Sequence, residues 1–516
     1  MTIRVMFNLN ERKRIYNKVG KELGRWKEFF YYELEDLIKK DKIFFKLPRE
    51  LKNRESVGLF DVFFDIFKNM FLFIFLVLGK IIINRVIKKR YINGNTIITT
   101  IEGLKTESFD YLFVINTKDH IISVIPLLEC LDKHRKVLIV TFIDNYLRYK
   151  QDFDNFKNCR ILFFEYELFN FSLKKYINIF NESNEKFKSL MTFPVKNMDL
   201  RRLLIIDKYF IKFYLKIELI QYYFFKKIFE LFNFRGVIGI VFTTAFIVAK
   251  EKKIPTFILQ HGIGGRDHEQ PYACDYFFAI DDVSKEDLER WLDYTVVVLA
   301  TGSPRFDYLN KIAPSIRNKK VISKKLGVLN DMRIITYVSQ GHPSLETDKM
   351  LYALKKLIGK LPNDTILIVK LHPRENRRIF DFRKHLKSIL DRDEVSRVKF
   401  IKNEVDIYEL IANSELILSN TSTSMIEAIA MNVPVIQINF TGEKYLPQYD
   451  LSTFGWRPPI CNADELVAEV LKILNDSDYK ENFIKEQEKL RNRAIKNFGK
   501  CGEVISDIIL RICEKG

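Results

Sequence analysis

Close cysteine pairs are missing from this chain. Its six cysteines, at 130, 159, 274, 461, 501 and 513, are scattered, which excludes the short spacings of a metal site or a dithiol redox motif. The amino-terminal stretch MTIRVMFNLNERKRIYNK has no continuous apolar core, so nothing in it reads as an export signal. Together these absences predict a reduced, intracellular protein. No apolar run reaches the roughly 20 residues that cross a bilayer. The most hydrophobic stretch, MFLFIFLVLG from Met70 to Gly79, is too short. Zinc-finger spacing, an aromatic RNA-binding signature and an arginine-rich tail are also lacking, as are short repeats and low-complexity linkers. No DxD-type motif stands in a loop suited to a metal, and metal independence is expected.

What is present is length, apolar content and positive charge. The 516 residues exceed what one core organises and fit two or three domains, and a hydrophobic content of 47% ensures that they fold. A formal charge of +18 and a pI near 9.3 call for an anionic partner. With nucleic-acid motifs absent, the candidates are nucleotide-linked substrates and anionic lipid. Part of the Lys, Ile, Asn and Phe excess reflects the amino-acid bias of an AT-rich genome. Residues 1–107 read as a helical extension. Within it Phe60–Ile87 carries acidic residues and Lys68 on one side of its apolar centre and Lys80 and Arg85 on the other. Lys88, Lys89 and Arg90 extend that basic flank, which suits either a helix lying on anionic headgroups or a buried helix. The aromatic, lysine-studded run Tyr209–Phe234 poses the same choice.

From Asp110 strands and helices alternate. YLFVIN (111–116) reads as a strand, TKDH as a loop, Ile121–Leu131 as a helix and KVLIVTF (136–142) as the next strand. Gly236–Phe242, a helix around Ala245–Lys250, Thr256–Leu259 and Tyr294–Leu299 continue the pattern. A second alternating half runs through Ile334–Val338, Ile366–Lys370, Val398–Ile401, 416–419 and 433–438. Such alternation predicts an α/β fold with parallel sheets covered by helices on both faces. The domains expected are 108–309, 310–480 and a helical close at 481–516.

The most informative segment is LILSNTSTSMIEAIAMNVPVIQINF (416–440), which reads as strand, hydroxyl-rich turn, short helix and strand. Asn420, Thr421, Ser422, Thr423 and Ser424 fall where a helix beginning near Met425 has free N–H groups, a place that suits phosphate. Glu427 is placed to accept hydrogen bonds from ribose hydroxyls, unless it is the surface residue of an ordinary capped helix. Open α/β sheets bind ligands at the carboxyl ends of their strands. There the sequence places Gln260 and His261, then Gly262, Asp267, His268 and Glu269; it also places Lys370, His372, Pro373, Arg374 and Glu375. Of seven histidines, His120, His261, His268, His342 and His372 all fall at expected strand-to-helix loops. His261 and His372 fall one in each alternating half.

QHG at 260–262, TGSPRFD at 301–307, KLHPRE at 370–375 and SNTSTSMIEAIAMNVPVI resemble, in that order, GT-B glycosyltransferases of the bacterial surface-polysaccharide type. These include polysialyltransferases, capsule Kdo transferases and CDP-glycerol glycerophosphotransferases. The resemblance covers roughly residues 108–480. It implies two Rossmann-like domains facing a cleft, with the nucleotide held mainly by the carboxyl-terminal one. It also implies that His372 and Pro373 contact the nucleotide, that Ser422, Thr423 and Ser424 hold its phosphate, and that His261 acts at the reacting centre. Two departures stand out: the acidic base motif of the sialyltransferases is not found cleanly, and the Trp that often precedes HG is Gln260. Residues 1–107 have no counterpart.

Glycosyl transfer needs a base for the acceptor hydroxyl and a donor-rich site for the departing phosphate. The base candidates, in order, are His261, Glu269, Asp267 and His120; Gly262, Arg374, Asn420 and Thr421 join the nucleotide-binding set. The sequence therefore predicts a metal-independent, inverting transferase without a cofactor, peripheral on the inner face of the cell membrane. It would take a sugar from a CMP-, CDP- or UDP-linked donor to a glycan or lipid-linked acceptor. Rival readings are a glycerophosphotransferase using CDP-glycerol, a UDP-sugar 2-epimerase, and a non-catalytic scaffold.

Overall fold

A computed structural model describes residues 97–168, 172–192, 208–241, 243–262, 274–291, 296–340, 345–372 and 381–515. Residues 1–96 of the amino-terminal extension, with its Phe60–Arg90 membrane candidate, lie outside the described residues, as do Asp267, His268, Glu269, His342, Pro373, Arg374 and Glu375; the end of the extension, expected to be helical, instead carries a strand at Ile98–Thr99. No helix among the described residues is long and apolar enough to cross a membrane.

Two parallel sheets carry the fold. The first comprises β1 (Ile98–Thr99), β2 (Tyr111–Ile115), β3 (Val137–Thr141), β4 (Cys159–Phe163), β5 (Gly236–Gly239), β6 (Thr256–Leu259), β7 (Tyr276–Ala279) and β8 (Val297–Ala300), in the order β1-β4-β3-β2-β5-β6-β7-β8. The second comprises β9 (Arg333–Val338), β10 (Thr365–Lys370), β11 (Val398–Ile401), β12 (Leu416–Ser419) and β13 (Val435–Gln437), in the order β11-β10-β9-β12-β13. The helices that bear on the argument are α1 (Lys118–Leu131), α2 (Lys208–Leu231), α3 (Thr244–Glu251), α4 (Pro304–Ile316), α5 (Lys319–Leu326) and α6 (Asp348–Lys360). They continue with α7 (Ile407–Ala412), α8 (Ser424–Ala430), α9 (Ala463–Asn475), α10 (Ser477–Ala494) and α11 (Cys501–Lys515).

The strands are continuous apolar runs because both of their faces are covered. YLFVI and VLIVT pair in register, Tyr111 against Val137 through Ile115 against Thr141, and every residue of both is buried. In the second sheet the pleat divides the core. Ile335, Tyr337, Leu367, Val369, Leu416 and Leu418 pack with residues of α6 and α9, whereas Ile334, Ile366, Ile368 and Ile401 pack with Ile322, Leu326 and Leu410 of α5 and α7. Reversal of strand order falls at β2/β5 in the first sheet and at β9/β12 in the second, the places where such sheets take ligands.

Among the described residues, contacts gather the chain into two discontinuous compact units, one within 97–118, 131–258 and 274–276, the other within 119–130, 259–262 and 277–515. Several expectations need correction. His120 is not in a loop, since α1 begins at Lys118. The strand expected at Tyr294–Leu299 lies at Val297–Ala300, and β1, β4 and β7 went unread. The run Tyr209–Phe234 falls on helix α2, Lys208–Leu231, and the three residues after it; the later aromatics of the helix, Tyr222, Phe224, Phe225 and Phe229, are all but fully buried, so this part is core and not an interfacial helix.

Candidate functional site

The site grows from three chain segments of the second compact unit: the turn after β6, the first turn of α4 and the turn before α8. Gln260 fixes the first. Its side-chain oxygen accepts from the Ile280 N–H at 2.9 Å and its amide donates to the Gly262 carbonyl at 2.8 Å, so Gln260 is a fully buried clamp on the HG turn. Gly262 approaches the hydroxyl cluster so closely that a Cβ there would lie 2.9 Å from Thr423 Oγ1.

Helix α4 begins with Pro304 in its first turn, where the missing N–H costs nothing, and directs Arg305 into the protein. Arg305 is 5% exposed. One terminal nitrogen donates to the His261 carbonyl at 2.9 Å and lies 3.2 Å from His261 Nδ1; the other donates to the Tyr408 hydroxyl at 2.5 Å and meets Glu427 Oε1 at 2.6 Å. A buried guanidinium is tolerable only when its charge and N–H groups are so matched. Glu427, placed by sequence to meet ribose, therefore has one carboxylate oxygen on Arg305.

His120 completes the cluster. Its ring stands edge-on to that of His261, centroids 4.9 Å apart, and its Nδ1 finds no partner among the described residues. Burial first, and the Arg305 charge second, lower its pKa to about 3, so the ring is neutral at physiological pH.

In the turn before α8, Ser422 Oγ accepts from the Ser424 N–H at 3.2 Å, while Thr423 caps no N–H of the helix. Asn420 is fully buried and engaged within the domain: its amide donates to the Leu345 carbonyl at 2.8 Å and its oxygen accepts from the Tyr337 hydroxyl at 3.4 Å. His372 is half-buried after β10. The sequence assigns His261 and His372 to opposite halves, but both belong to the second compact unit. Thus His120, His261, Gly262, Thr423 and Glu427 come together as named from sequence. Arg305 and Tyr408 were not assigned a role. The Arg of TGSPRFD was visible, but its partners are remote in the chain.

Two parallel, doubly wound sheets thus carry a cluster built from the turns after β6 and β12 and from the helices α1, α4, α7 and α8. Residues 249–493 match the family described as CDP-glycerol:poly(glycerophosphate) glycerophosphotransferase, which bears out the resemblance carried by the motifs. A curated relative, the hydrolysing UDP-N,N'-diacetylbacillosamine 2-epimerase of Legionella pneumophila, is 22% identical over 182 residues; the match covers 35% of this chain and 45% of that protein. The chain thus spans less than half the length of this relative. Among solved structures, UDP-GlcNAc 2-epimerase from Neisseria meningitidis bound to UDP-GlcNAc is 17% identical, with a TM-score of 0.48 over 79% of this chain and all of that one. A glycosyltransferase from Rickettsia africae is 14% identical, with a TM-score of 0.47 over 80% of this chain and all of that one. The wall teichoic acid polymerase TagF, soaked with CDPG, is 13% identical, with a TM-score of 0.43 over 80% of this chain and 90% of that one.

Proposed function

We propose that the protein is a metal-independent, inverting transferase that moves a sugar from a CMP-, CDP- or UDP-linked donor to a glycan or lipid-linked acceptor in cell-surface polysaccharide synthesis. The observation that carries this reading is Arg305, a buried cation joining the HG histidine to the helix that follows the hydroxyl cluster. By tying the HG turn to that helix, Arg305 holds the His261 ring and the cluster's hydroxyls together as fixed donors for a phosphate that gains charge as it departs, usually the largest single contribution to such chemistry. The Thr421–Ser424 hydroxyls hold the donor's phosphate, and His261 stands at the reacting centre. The basic flank at Lys88, Lys89 and Arg90 attaches the enzyme to anionic membrane. Flotation with anionic liposomes checks this last point, and replacing the three by Gln should weaken it.

A second reading, transfer of glycerol phosphate from CDP-glycerol, is favoured by the family match over residues 249–493. The two differ in the bond broken. Sugar transfer cleaves the anomeric C–O bond, whereas glycerophosphoryl transfer cleaves the pyrophosphate and leaves CMP. Donor screening by thermal shift is the first test, since a ligand at 100 times its Kd stabilises by about 2.7 kcal/mol. Product analysis with acceptor follows. Sugar in the acceptor supports the first reading and glycerol phosphate the second; conversion of a UDP-sugar to its 2-epimer without acceptor, or no turnover at all, would overturn both.

A further inference from the structure

Most histidines that act as bases have an acceptor, a carboxylate or a carbonyl, behind the ring. Behind the His261 ring stands a guanidinium. Arg305 lies 3.2 Å from Nδ1, and a guanidinium has N–H donors only, with no lone pair to offer and no means of losing its proton at physiological pH. Nδ1 must therefore present its own lone pair to Arg305. A neutral imidazole has one proton, which is left on Nε2. Among the described contacts, Glu427 and Tyr408 hold the far side of Arg305, and His120 is a neutral ring set edge-on to His261, so none of these three offers Nδ1 an acceptor.

We infer that Arg305 is a positioning residue that fixes His261 as the Nε2–H tautomer, so that His261 serves the reacting centre as a hydrogen-bond donor and not as the base. This rests on the transferase reading and refines it. As the acceptor oxygen bonds to the anomeric carbon, the bond from that carbon to the donor phosphate breaks and its electron pair passes to the phosphate oxygen. Nε2–H of His261 donates to that oxygen without losing its proton. The acceptor's proton goes to another base, a carboxylate or water. Glu427 and Tyr408 enter by holding the guanidinium, which ties the geometry of His261 to the helix that follows the hydroxyl cluster.

The tautomer can be read without substrate. Long-range proton–nitrogen spectra of the full chain labelled with 15N-histidine, with His261 assigned by comparison with His261→Gln, should show hydrogen on Nε2 and a bare Nδ1 at neutral pH. In Arg305→Gln, which replaces the donor-only guanidinium with an amide whose oxygen can accept a hydrogen bond, the Nδ1–H form should become populated. An Nδ1–H ring in the unaltered protein, or an unchanged ring in folded Arg305→Gln, would overturn the assignment. Kinetics supply a second arm. His261→Gln, which can offer an amide N–H near the position of Nε2–H, should retain activity within about tenfold, while His261→Ala should lose about 10²–10³-fold, as for removal of an oxyanion donor. Equal and complete loss in both folded variants would make His261 the base and sink the proposal. If no donor is turned over by the unaltered protein, the transferase reading fails while the spectra still decide the tautomer.

Discussion

His120 shows how a single side chain acquires a measurable signature. Its folded-state pKa, about 3, lies below the 6.5 of an exposed ring, so the unfolded chain binds a proton that the folded chain refuses. Stability from this residue is complete above pH 6.5 and is lost as pH falls toward 3, with a slope approaching about 1.4 kcal/mol per pH unit. Asp281 works oppositely. Burial raises its pKa from 3.8 to about 6, so its destabilising charge disappears as pH falls through that window. His120→Gln should flatten the acid side of a denaturation-versus-pH curve, and Asp281→Asn should steepen it. An unchanged curve in His120→Gln would mean that the ring is charged or exposed.

At the same scale stand the hydroxyls. Ser422→Ala combined with Thr423→Ala should weaken nucleotide binding, since a hydrogen bond to a charged group contributes about 1.5–3 kcal/mol. Calorimetry with the donor found by screening decides it, and unaltered affinity in the folded double variant would remove the pair from the phosphate site. The positions of these hydroxyls and of His261 were legible because each follows a strand of recognisable length. The role of Arg305 was not. An Arg near a helix start reads as a solvated side chain until the fold brings His261, Tyr408 and Glu427 around it.

Among elements, the unit of β12, turn, α8 and β13 was read almost residue for residue, Ser424–Ala430 being the helix expected near Met425. Its apolar runs are bounded by a hydroxyl-rich turn on one side and Asn432-Val433-Pro434 on the other. Strands such as β7, Tyr276–Ala279, escaped because four apolar residues carry too little period to be told from a buried helical turn. The His120 region was misread for a related reason: Lys118 and Asp119 are polar, and polar residues in the first turn of a helix look like the loop before it. The tight fit between two elements yields another test. Gly262→Ala places a methyl 2.9 Å from Thr423 Oγ1 and must push the HG turn away from the hydroxyl cluster. Turnover should fall by about 10²-fold, the scale of a 1 Å misplacement, with a smaller loss of global stability. Comparison of kcat with the urea midpoint checks it, and equal kcat would show that the turn tolerates the shift.

For the molecule as a whole, two parallel sheets were foreseeable from alternation, while the division into compact units was not. Residues 119–130 and 259–262 join the second unit through contacts that no local pattern announces. TGSPRFD shows why one motif can serve two ends. Gly302, at φ +84°, lets the Lys496 carbonyl come so near that a Cβ would sit 1.9 Å from it, and Asp307 accepts from the Gly499 and Gly502 N–H groups at 2.7 and 3.2 Å, capping α11. Arg305 lies between them and faces His261. Gly302→Ala should cost more than the roughly 1–3 kcal/mol of an unfavourable backbone conformation, since the carbonyl must also move. Hydrogen exchange over 496–515 should rise first, and unchanged protection there would disprove the latch.

That latch imposes an order on biosynthesis. The helix that aims Arg305 is translated some two hundred residues before the glycines that Asp307 will hold. At about 5–20 residues per second, the ribosome takes on the order of ten seconds or longer to supply them. Through that interval the nascent chain carries a guanidinium destined for burial whose helix still lacks its distal anchor, and whose carboxylate partner Glu427 emerges only midway. The nascent polypeptide therefore passes through a stage at which it has one sheet made and no competent site, when chaperone engagement or a translational pause would have most effect on yield.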